Sequence, residues 1–321
     1  MTKACVFAPS PLLTVTVEGT AGDGNDEIHI HAGGQGFWIA RMLAELDTEV
    51  SVCGSFGGEV GRTAAVLMAE EDLDVRVVPT AGTNGAYIHD RRSGRRLPVA
   101  AMAATPLSRH EVDELYGAAL VKGLDAAVCV LGGPGDPAIL PADTYRRLAT
   151  DLSANGAAVV ADLSGQPLDA ALEGGVTVVK VSHAELVGDK RAAGDDLASL
   201  VAAMGDLAAA GAGSVVVTRA DDPTLALVDG RVLEVAGPRL EPCDTAGAGD
   251  SFTAGVAAGL AHGRTIDDAL RLGAAAGAVN VGRRGLATGR RQEIEGMVRH
   301  IEVRPLSANQ AADKGGRTCM R

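Results

Sequence analysis

The chain has 321 residues, of which 46% are hydrophobic but only 2% aromatic, and it carries a formal net charge of −12 with a pI near 5.0. That length suits one large α/β domain with a core of Ala, Val and Leu, and the acidity argues against binding to nucleic acid or an anionic membrane. Five scattered cysteines without a CxxC pair, and no signal-peptide pattern or long apolar run, predict a cytoplasmic protein without a zinc site or disulfide framework.

The first third of the chain mixes buried and half-exposed predicted strands. An apolar run at 3–9 predicts a buried strand, whereas 14–18 and 27–31 alternate apolar and polar residues, as half-exposed strands do. The pattern that follows predicts a helix at 37–46, a strand at 49–54, a helix at 59–71, a strand at 74–78 and a second alternating pair at 86–90 and 96–102. The two alternating pairs predict a small antiparallel sheet outside the main body, a lid formed from about 12–32 and 84–103.

From residue 108 onward, strands and helices alternate regularly. The patterns predict helices at 108–121, 142–154 and 193–211, and strands at 126–133, 157–165, 176–181, 214–218, 225–228 and 232–235. Repeated strand–helix units imply right-handed crossovers, so the predicted fold class is α/β with a doubly wound, mostly parallel sheet flanked by helices. We expect one domain over 1–305, and a disordered tail over 306–321 because that segment is polar and lacks periodicity.

Small residues between two aspartates, Asp244 and Asp250, precede a helical pattern in which Phe252, Val256 and Leu260 recur. The run therefore lies at a helix N-terminus, where unpaired N–H groups and the macrodipole attract anions. Asp250 is either a helix cap or a general base that takes a proton from a substrate hydroxyl while the loop amides neutralise a transferring phosphoryl group. The chain has no GxxxxGK[ST] sequence, which excludes a P-loop NTPase.

The stretch DTAGAGDSF (244–252) resembles the D-T-x-G-A-G-D motif of the PfkB/ribokinase-type carbohydrate kinases. AGGQGFWIARML and GSFGG also resemble that family, and three further segments are similar to the branch that holds 1-phosphofructokinase and tagatose-6-phosphate kinase: VVADLSGQPLDAAL, VVKVSHAEL and GLATGRRQEIE. The resemblance covers 3–305. It implies a ribokinase-like domain with a β lid, and ATP- and Mg²⁺-dependent transfer of a phosphoryl group to a hydroxyl of a sugar or sugar phosphate.

The resemblance also implies which residues form the site. Asp250 is the expected catalytic base, and the expected anion hole is made by the backbone of Ala246, Gly247, Ala248 and Gly249. The expected ATP side comprises Ser182, Glu185, Thr218, Asn280 and Gly285, with Glu185 also organising Mg²⁺ through water. The expected substrate side comprises Leu12, Gly33, Gly34, Gln35, Trp38 and Asn84. Taken singly, Glu185 is equally a solvated helix residue, Thr218 a strand end and Asn280 a helix C-terminal residue.

The substrate side departs from the family pattern. Leu12 replaces an acidic residue, Gln35 a lysine, Trp38 an asparagine and Gly82 an arginine. Each loss removes a hydrogen bond or charge that would hold a sugar phosphate, and such a charge-assisted bond contributes about 1.5–3 kcal/mol. The sequence therefore argues against fructose 6-phosphate in the family's usual pose.

Several alternatives stay open at this point. Trp38 either stacks on an acceptor ring or fills the core, and Arg92, Arg95 and Arg96 beside the lid either contact a phosphate or lie in a solvated turn. The same mechanism could serve a nucleoside or another non-sugar alcohol, or the chain could be a catalytically silent metabolite-binding protein. The expected partner is a small molecule, with no nucleic acid and no membrane, and a homodimer is compatible with the sequence.

Overall fold

Strands and helices alternate along the computed structural model, which describes residues 2–19, 25–283 and 285–306. The strands are β1 (Lys3–Phe7), β2 (Leu12–Gly19), β3 (Asp26–Gly33), β4 (Glu49–Gly57), β5 (Asp74–Thr80), β6 (Ala86–Asp90), β7 (Leu97–Met102), β8 (Val128–Gly132), β9 (Ala158–Asp162), β10 (Val176–Ser182), β11 (Ala212–Arg219), β12 (Asp222–Val228), β13 (Arg231–Ala236) and β14 (Glu302–Pro305). The helices are α1 (Gln35–Glu45), α2 (Gly58–Ala69), α3 (Arg109–Leu124), α4 (Asp143–Ala154), α5 (Gly165–Gly174), α6 (His183–Gly188), α7 (Leu197–Ala209), α8 (Ala248–Ala261), α9 (Ile266–Val281) and α10 (Arg291–Val298).

The main body of the molecule is one large sheet. Within the described residues it has ten strands in the order β14-β13-β12-β11-β10-β9-β8-β1-β4-β5. The strands from β11 to β5 are parallel, and β12 to β14 form an antiparallel edge. The strand order reverses at β1, which lies between β8 and β4, so a ligand site is expected at the carboxyl ends of the strands around this point. The α/β, doubly wound fold class is confirmed.

The core has two layers, one on each face of this sheet. One layer includes Leu43 of α1 and Val256 of α8, and the other includes Leu148 of α4 and Leu200 of α7. Helices on both faces explain why central strands such as β8 are apolar along their whole length rather than alternating. Both layers consist mostly of Ala, Val and Leu, as the scarcity of aromatic residues predicts.

The lid is a separate sheet, and its described strands have the order β3-β2-β6-β7. β2 pairs with β3 and β6 pairs with β7 in antiparallel fashion, as the alternating patterns predict. The two pairs join through a parallel pairing of β2 with β6, which the sequence patterns did not indicate. The lid spans residues 12–19, 26–33, 86–90 and 97–102.

Two expectations concern membranes and the tail. Within 2–19, 25–283 and 285–306, no helix combines the length and apolar character that a membrane crossing requires. The predicted disordered tail lies outside the described residues from 307 onward. Leu306, the last described residue, donates its N–H to the carbonyl of Val232, which extends the pairing of β14 with β13.

Candidate active site

A cavity of about 980 Å³ lies between the lid and the carboxyl ends of the central parallel strands. From the lid it is lined by Leu12, Gly33, Tyr87, Ala101 and Met102. From the main sheet it is lined by Ala8 and Ser10 after β1, 133–137 after β8, 162–167 after β9, and Glu185 in α6. These segments meet where the strand order reverses, the position at which open α/β sheets bind their ligands.

The segment 244–249, which we call the anion-binding loop after its expected role, runs into the first turn of α8. Asp244 accepts the N–H of Ala246 on Oδ1 at 3.0 Å. Gly247 has φ 76°, and a Cβ there would lie 3.2 Å from Leu286 Cδ2, so both the backbone conformation and the space favour glycine. The amides of the first turn of α8 lie at the positive end of the helix dipole, where they can bind an anion.

Asp250 lies in the first turn of α8, partly buried beside other charged groups. Burial and the carboxylates of Asp162 and Glu185 raise the pKa of Asp250 to about 7, although the Lys180 ammonium opposes the rise. A carboxylate whose pKa lies near neutral is well matched to general-base work at physiological pH. Asp250 itself does not line the cavity, but Asp162 and Glu185, the two carboxylates that perturb it, do.

Beneath the loop lies a buried ion pair that sequence reasoning missed. Lys180 Nζ lies 3.1 Å from both carboxylate oxygens of Asp162, and Thr253 in α8 donates a 2.5 Å hydrogen bond to Asp162 Oδ2. Lys180 and Asp162 are register partners on β10 and β9. A Cβ on Gly249 would lie 3.0 Å from Lys180 Nζ, so the ammonium lies directly under the loop.

The electrostatics of this pair keep the lysine charged. Burial alone would lower the pKa of Lys180, but the carboxylates of Asp162, Asp250 and Glu185 outweigh it and raise the pKa. The signal in the sequence was a charged residue at the end of each of two apolar runs, VVAD and VVKV, where a buried strand would otherwise continue.

Glu185 and Ser182 form a capping box at the start of α6. The Ser182 N–H and hydroxyl donate to Glu185 Oε2 at 2.7 and 2.6 Å, and the Glu185 N–H donates to Ser182 Oγ. Glu185 and Asp162 both line the cavity. Two carboxylates on one wall suit Mg²⁺, which typically takes one or two carboxylates together with waters and substrate phosphates. The described residues hold no cluster of three or more His, Cys, Asp or Glu that could bind a metal directly.

Two further residues expected on the ATP side are Thr218 and Asn280. Thr218 lies one residue before the end of β11, in register with Ser182 of β10. Asn280 is fully buried, donates from Nδ2 to the Ala246 carbonyl at 2.8 Å and accepts on Oδ1 from the Ala287 N–H at 2.8 Å. Its amide therefore ties the anion-binding loop to the segment after α9, where Gly285 has φ 92°.

A neighbouring turn contains a residue in the left-handed conformation. Ala220 adopts φ 48° in the hairpin between β11 and β12. This conformation costs an alanine about 1 kcal/mol relative to glycine.

The structure brings only part of the predicted substrate side to the cavity. Leu12, Gly33, Gly34 and Gln35 line it, and Gln35 Oε1 accepts the N–H of Gly133 at 2.8 Å. Tyr87 from the lid also lines it, which the sequence did not indicate, because a lone Tyr in an alternating strand can face either way.

Trp38 and Asn84 lie elsewhere. Trp38 packs against Phe37 in the hydrophobic core, with 7% of its surface exposed, so the core-filling alternative is the one that the structure favours. The buried Asn84 amide bonds to the Gly57 N–H and to the carbonyls of Pro11 and Ser55, all at 2.7–2.9 Å. The Asn84 side chain therefore holds the segment after β1 to the last residues of β4.

Comparisons with known proteins agree with the site. Residues 13–293 match the model of the pfkB family carbohydrate kinases. The 1-phosphofructokinase of Rhodobacter capsulatus is 31% identical over 273 residues, 82% of this chain and 84% of that protein. The 1-phosphofructokinase of Bacillus subtilis (strain 168) is 27% identical over 249 residues, 77% of this chain and 80% of that protein.

Solved structures share the fold. Phosphofructokinase-2 of Escherichia coli in complex with potassium superposes with a TM-score of 0.81 at 21% identity, over 93% of this chain and 99% of that one. Ribokinase of Arabidopsis thaliana, complexed with ribose and ATP, gives a TM-score of 0.73 at 18% identity, over 93% of this chain and 99% of that one. The family match covers most of the chain, and its motif forms the loop at the start of α8. The chain belongs to the pfkB family of carbohydrate kinases.

Proposed function

We propose that this protein transfers a phosphoryl group from ATP to a hydroxyl of a sugar or sugar phosphate, in a Mg²⁺-dependent reaction. The observation that carries the proposal is Asp250, whose pKa is about 7, in the first turn of α8 directly after the anion-binding loop. Relatives named 1-phosphofructokinase support a sugar-phosphate acceptor as the starting expectation. The acceptor hydroxyl would enter from the cavity between lid and sheet.

In this mechanism Asp250 accepts the proton of the attacking hydroxyl, and the backbone amides of 246–249 stabilise charge on the transferring group. Glu185, with Asp162 on the same wall, would hold Mg²⁺ through water, and the ion would neutralise phosphate charge. The buried Lys180 ammonium adds positive charge directly under Gly249, where the transferring phosphoryl group would lie. Catalysis therefore consists of positioning and electrostatics, with one proton accepted by the chain.

The nucleotide would lie on the β10–β11 side of the loop. Ser182 and Thr218 end neighbouring strands there, and we propose that they contact the phosphates. Asn280 holds the loop to the segment at Gly285, beside which we propose the adenine to bind. The described cysteines, Cys5, Cys53, Cys129 and Cys243, are free thiols, which fits our proposal that the enzyme works in the reducing, ATP-rich cytoplasm.

We also propose that two copies associate through the outer face of the lid. Val15, Ile30 and Ile88 are register partners across β2, β3 and β6, so their side chains share one face. Ile28 lies two residues from Ile30 on β3 and adds to the exposed apolar surface on this face. Exposed apolar patches of this kind are typical of protein interfaces. The structure of a tetrameric form of phosphofructokinase-2 of Escherichia coli has been solved, so at least one structural relative of this chain forms oligomers.

Replacing Asp250 tests the mechanism. The Asp250→Asn protein keeps the shape of the side chain but loses the proton acceptor, so turnover should fall by at least about 100-fold. Binding of ATP, measured by calorimetry, should survive because the loop amides are unchanged. Asp113→Asn, an exposed position on α3, is the matched control and should retain full turnover. Retained turnover in Asp250→Asn would remove Asp250 from the mechanism.

A further inference from the structure

The charged side chains on the cavity wall lead to a narrower statement about the acceptor. We infer that the acceptor is an uncharged polyhydroxy compound that carries no phosphate group of its own. The inference deepens the proposed function and rests on it.

Every charged residue among the described cavity-lining residues is acidic: Asp136, Asp162, Glu185 and Asp189. Asp162 is neutralised by Lys180, and Glu185 is on the wall proposed for Mg²⁺. Asp189 accepts the N–H of Gly165 at 2.6 Å and lies 3.8 Å from Arg191 Nε, and Asp136 accepts the N–H of Ala138 at 2.9 Å. Arg191 thus offsets part of the charge of Asp189, whereas the charge of Asp136 repels a phosphate dianion that enters the cavity.

The cations near the site face other partners. Lys180 binds Asp162, and Arg91 in the lid turn binds Asp244 at 2.9 Å. Arg92, on the same turn, binds Asp90 and Asp26, and Arg191 binds Asp169 at 2.7 Å. Burial lowers the pKa of the Arg96 guanidinium, and the neighbouring Asp244 carboxylate offsets part of that lowering. None of these five residues lines the cavity. Arg91 and Arg96 lie near Asp244, on the side of the anion-binding loop, where the phosphates of the donor would bind.

The groups that do face the cavity suit neutral hydroxyls. Gln35 Oε1 is taken by the Gly133 N–H, which fixes the amide orientation and leaves Nε2 as a donor. Ser10, Ser164 and Gln166 are further uncharged polar groups in the wall. The apolar part of the wall is formed by Leu12, Tyr87, Met102, Pro134 and Ile139. Uncharged donors and acceptors beside an aromatic ring are the environment in which a sugar ring, with its hydroxyl edge and C–H faces, binds.

Matched pairs of acceptors test the inference. The pairs are fructose with fructose 6-phosphate, fructose with fructose 1-phosphate, and adenosine with AMP, each with ATP and Mg²⁺ and scored by ADP release. We expect the unphosphorylated member of the active pair to have the higher kcat/KM by at least about tenfold. Activity on adenosine rather than fructose would identify the acceptor as a nucleoside, which is also an uncharged polyhydroxy compound and would agree with the inference. A higher kcat/KM for a phosphorylated member overturns the inference.

Binding separates failure of this inference from failure of the proposed function. Calorimetry on the Asp250→Asn protein measures the same pairs without turnover. Tighter binding of the unphosphorylated members supports the inference even if the wild-type protein releases no ADP, a result that would instead count against the kinase mechanism. Tighter binding of the phosphorylated members, or no binding of the unphosphorylated ones, overturns it.

Gln35 offers a charge-specific check. Gln35→Lys places a cation on the wall and should move the ratio of kcat/KM toward the phosphorylated member by about tenfold. Gln35→Met is the matched control, because it removes the amide without adding charge and should weaken both members of a pair alike. If Gln35→Lys and Gln35→Met change the ratio of kcat/KM between the two members of a pair equally, charge on the cavity wall does not select the acceptor. That result would contradict the inference.

Discussion

Asp250 sits in surroundings that favour its neutral form over its charged form. Its pKa is about 7 in the folded protein, against 3.8 for an unperturbed aspartate. Between these two values the folded state holds the proton and the unfolded state releases it, so the stability that this proton contributes falls as pH rises from 4 to 7. Above pH 7 Asp250 is ionised in the folded protein, and its charge opposes folding. The ionised carboxylate is nevertheless the form that can act as a base.

The stability of the Asp250→Asn protein should reveal this cost. Asparagine cannot ionise, so at pH 8 the free energy of unfolding of the variant should exceed that of the wild type by about 1–3 kcal/mol. This range allows for screening by solvent, because the Asp250 side chain is partly exposed. The difference should shrink steadily toward pH 4, where the wild-type aspartate is protonated in the folded state. Urea unfolding at pH 8, 6 and 4 measures it, with Asp113→Asn as control. A pH-independent difference would mean that Asp250 is not strained when charged.

At the residue scale, local motifs predicted the positions of residues on their elements better than the direction of their side chains. The positions of Asp250, Glu185 and Gln35 near the starts of α8, α6 and α1 follow from spacing along the chain. The Asp162–Lys180 pair depends on the register of β9 against β10, which no local pattern encodes. Trp38 turned into the core because helix α1 packs that face against the sheet.

The lid and the anion-binding loop are joined by one ion pair. Arg91, in the turn between β6 and β7, binds Asp244 Oδ2 at 2.9 Å, and Asp244 Oδ1 accepts the Ala246 N–H at 3.0 Å. Both charged side chains are mostly buried, so the pair is screened less than a surface ion pair. Through Asp244, the lid helps to set the orientation of a loop amide. Arg91 is thus a positioning residue.

Arg91→Ala should therefore disturb phosphoryl transfer without touching the reacting atoms. We expect kcat/KM to fall by about tenfold, mainly through kcat, because loss of a charge-assisted hydrogen bond loosens the loop amides. Arg91→Lys should restore part of kcat, since it keeps the charge. Arg92→Ala is the matched control, because the ion-pair partners of Arg92 among the described residues, Asp90 and Asp26, both belong to the lid. Equal losses in the two alanine variants would indicate a general effect on the lid instead.

Among the elements, most of the predicted helices and strands are present, but four helices were not predicted. α6 and α10 have only six and eight residues, which carry too little periodicity to stand out. α5 and the 16-residue α9 were also missed. The strand predicted at 157–165 ends at Asp162, and the helix predicted from 193 begins at Leu197, since Asp196 caps it by accepting the Ser199 N–H at 3.0 Å. The parallel β2–β6 pairing joins distant segments and depends on tertiary structure alone.

At the scale of the molecule, the outer face of the lid is an apolar surface without a covering layer among the described residues. The main sheet has helices on both faces, whereas Ile28 and Ile30 on the outer face of the lid are both more than 50% exposed. A sheet with one bare apolar face would be stabilised if a second copy covered it. The same sheet lines the cavity, so the proposed assembly and the site would share one structural unit.

Light scattering on the purified protein tests this assembly. The wild type should have the mass of two chains, and Ile30→Asp, at the centre of the outer face, should shift it toward one chain because a buried carboxylate opposes association. Val121→Asp is the matched control, since Val121 is also highly exposed but lies on α3, and it should leave the mass unchanged. A monomeric wild type, or no effect of Ile30→Asp, would contradict the proposed interface.

The position of Trp38 gives the molecule an optical probe of its own. It is the only tryptophan in the chain, and it packs just beneath the wall of the cavity, where a Cβ on Gly33 would lie 3.6 Å from its ring. The tryptophan fluorescence of the protein therefore comes from one buried indole that lies next to the cavity. Because Trp38 is close to the cavity without lining it, a change in its emission would report the binding of a small molecule there.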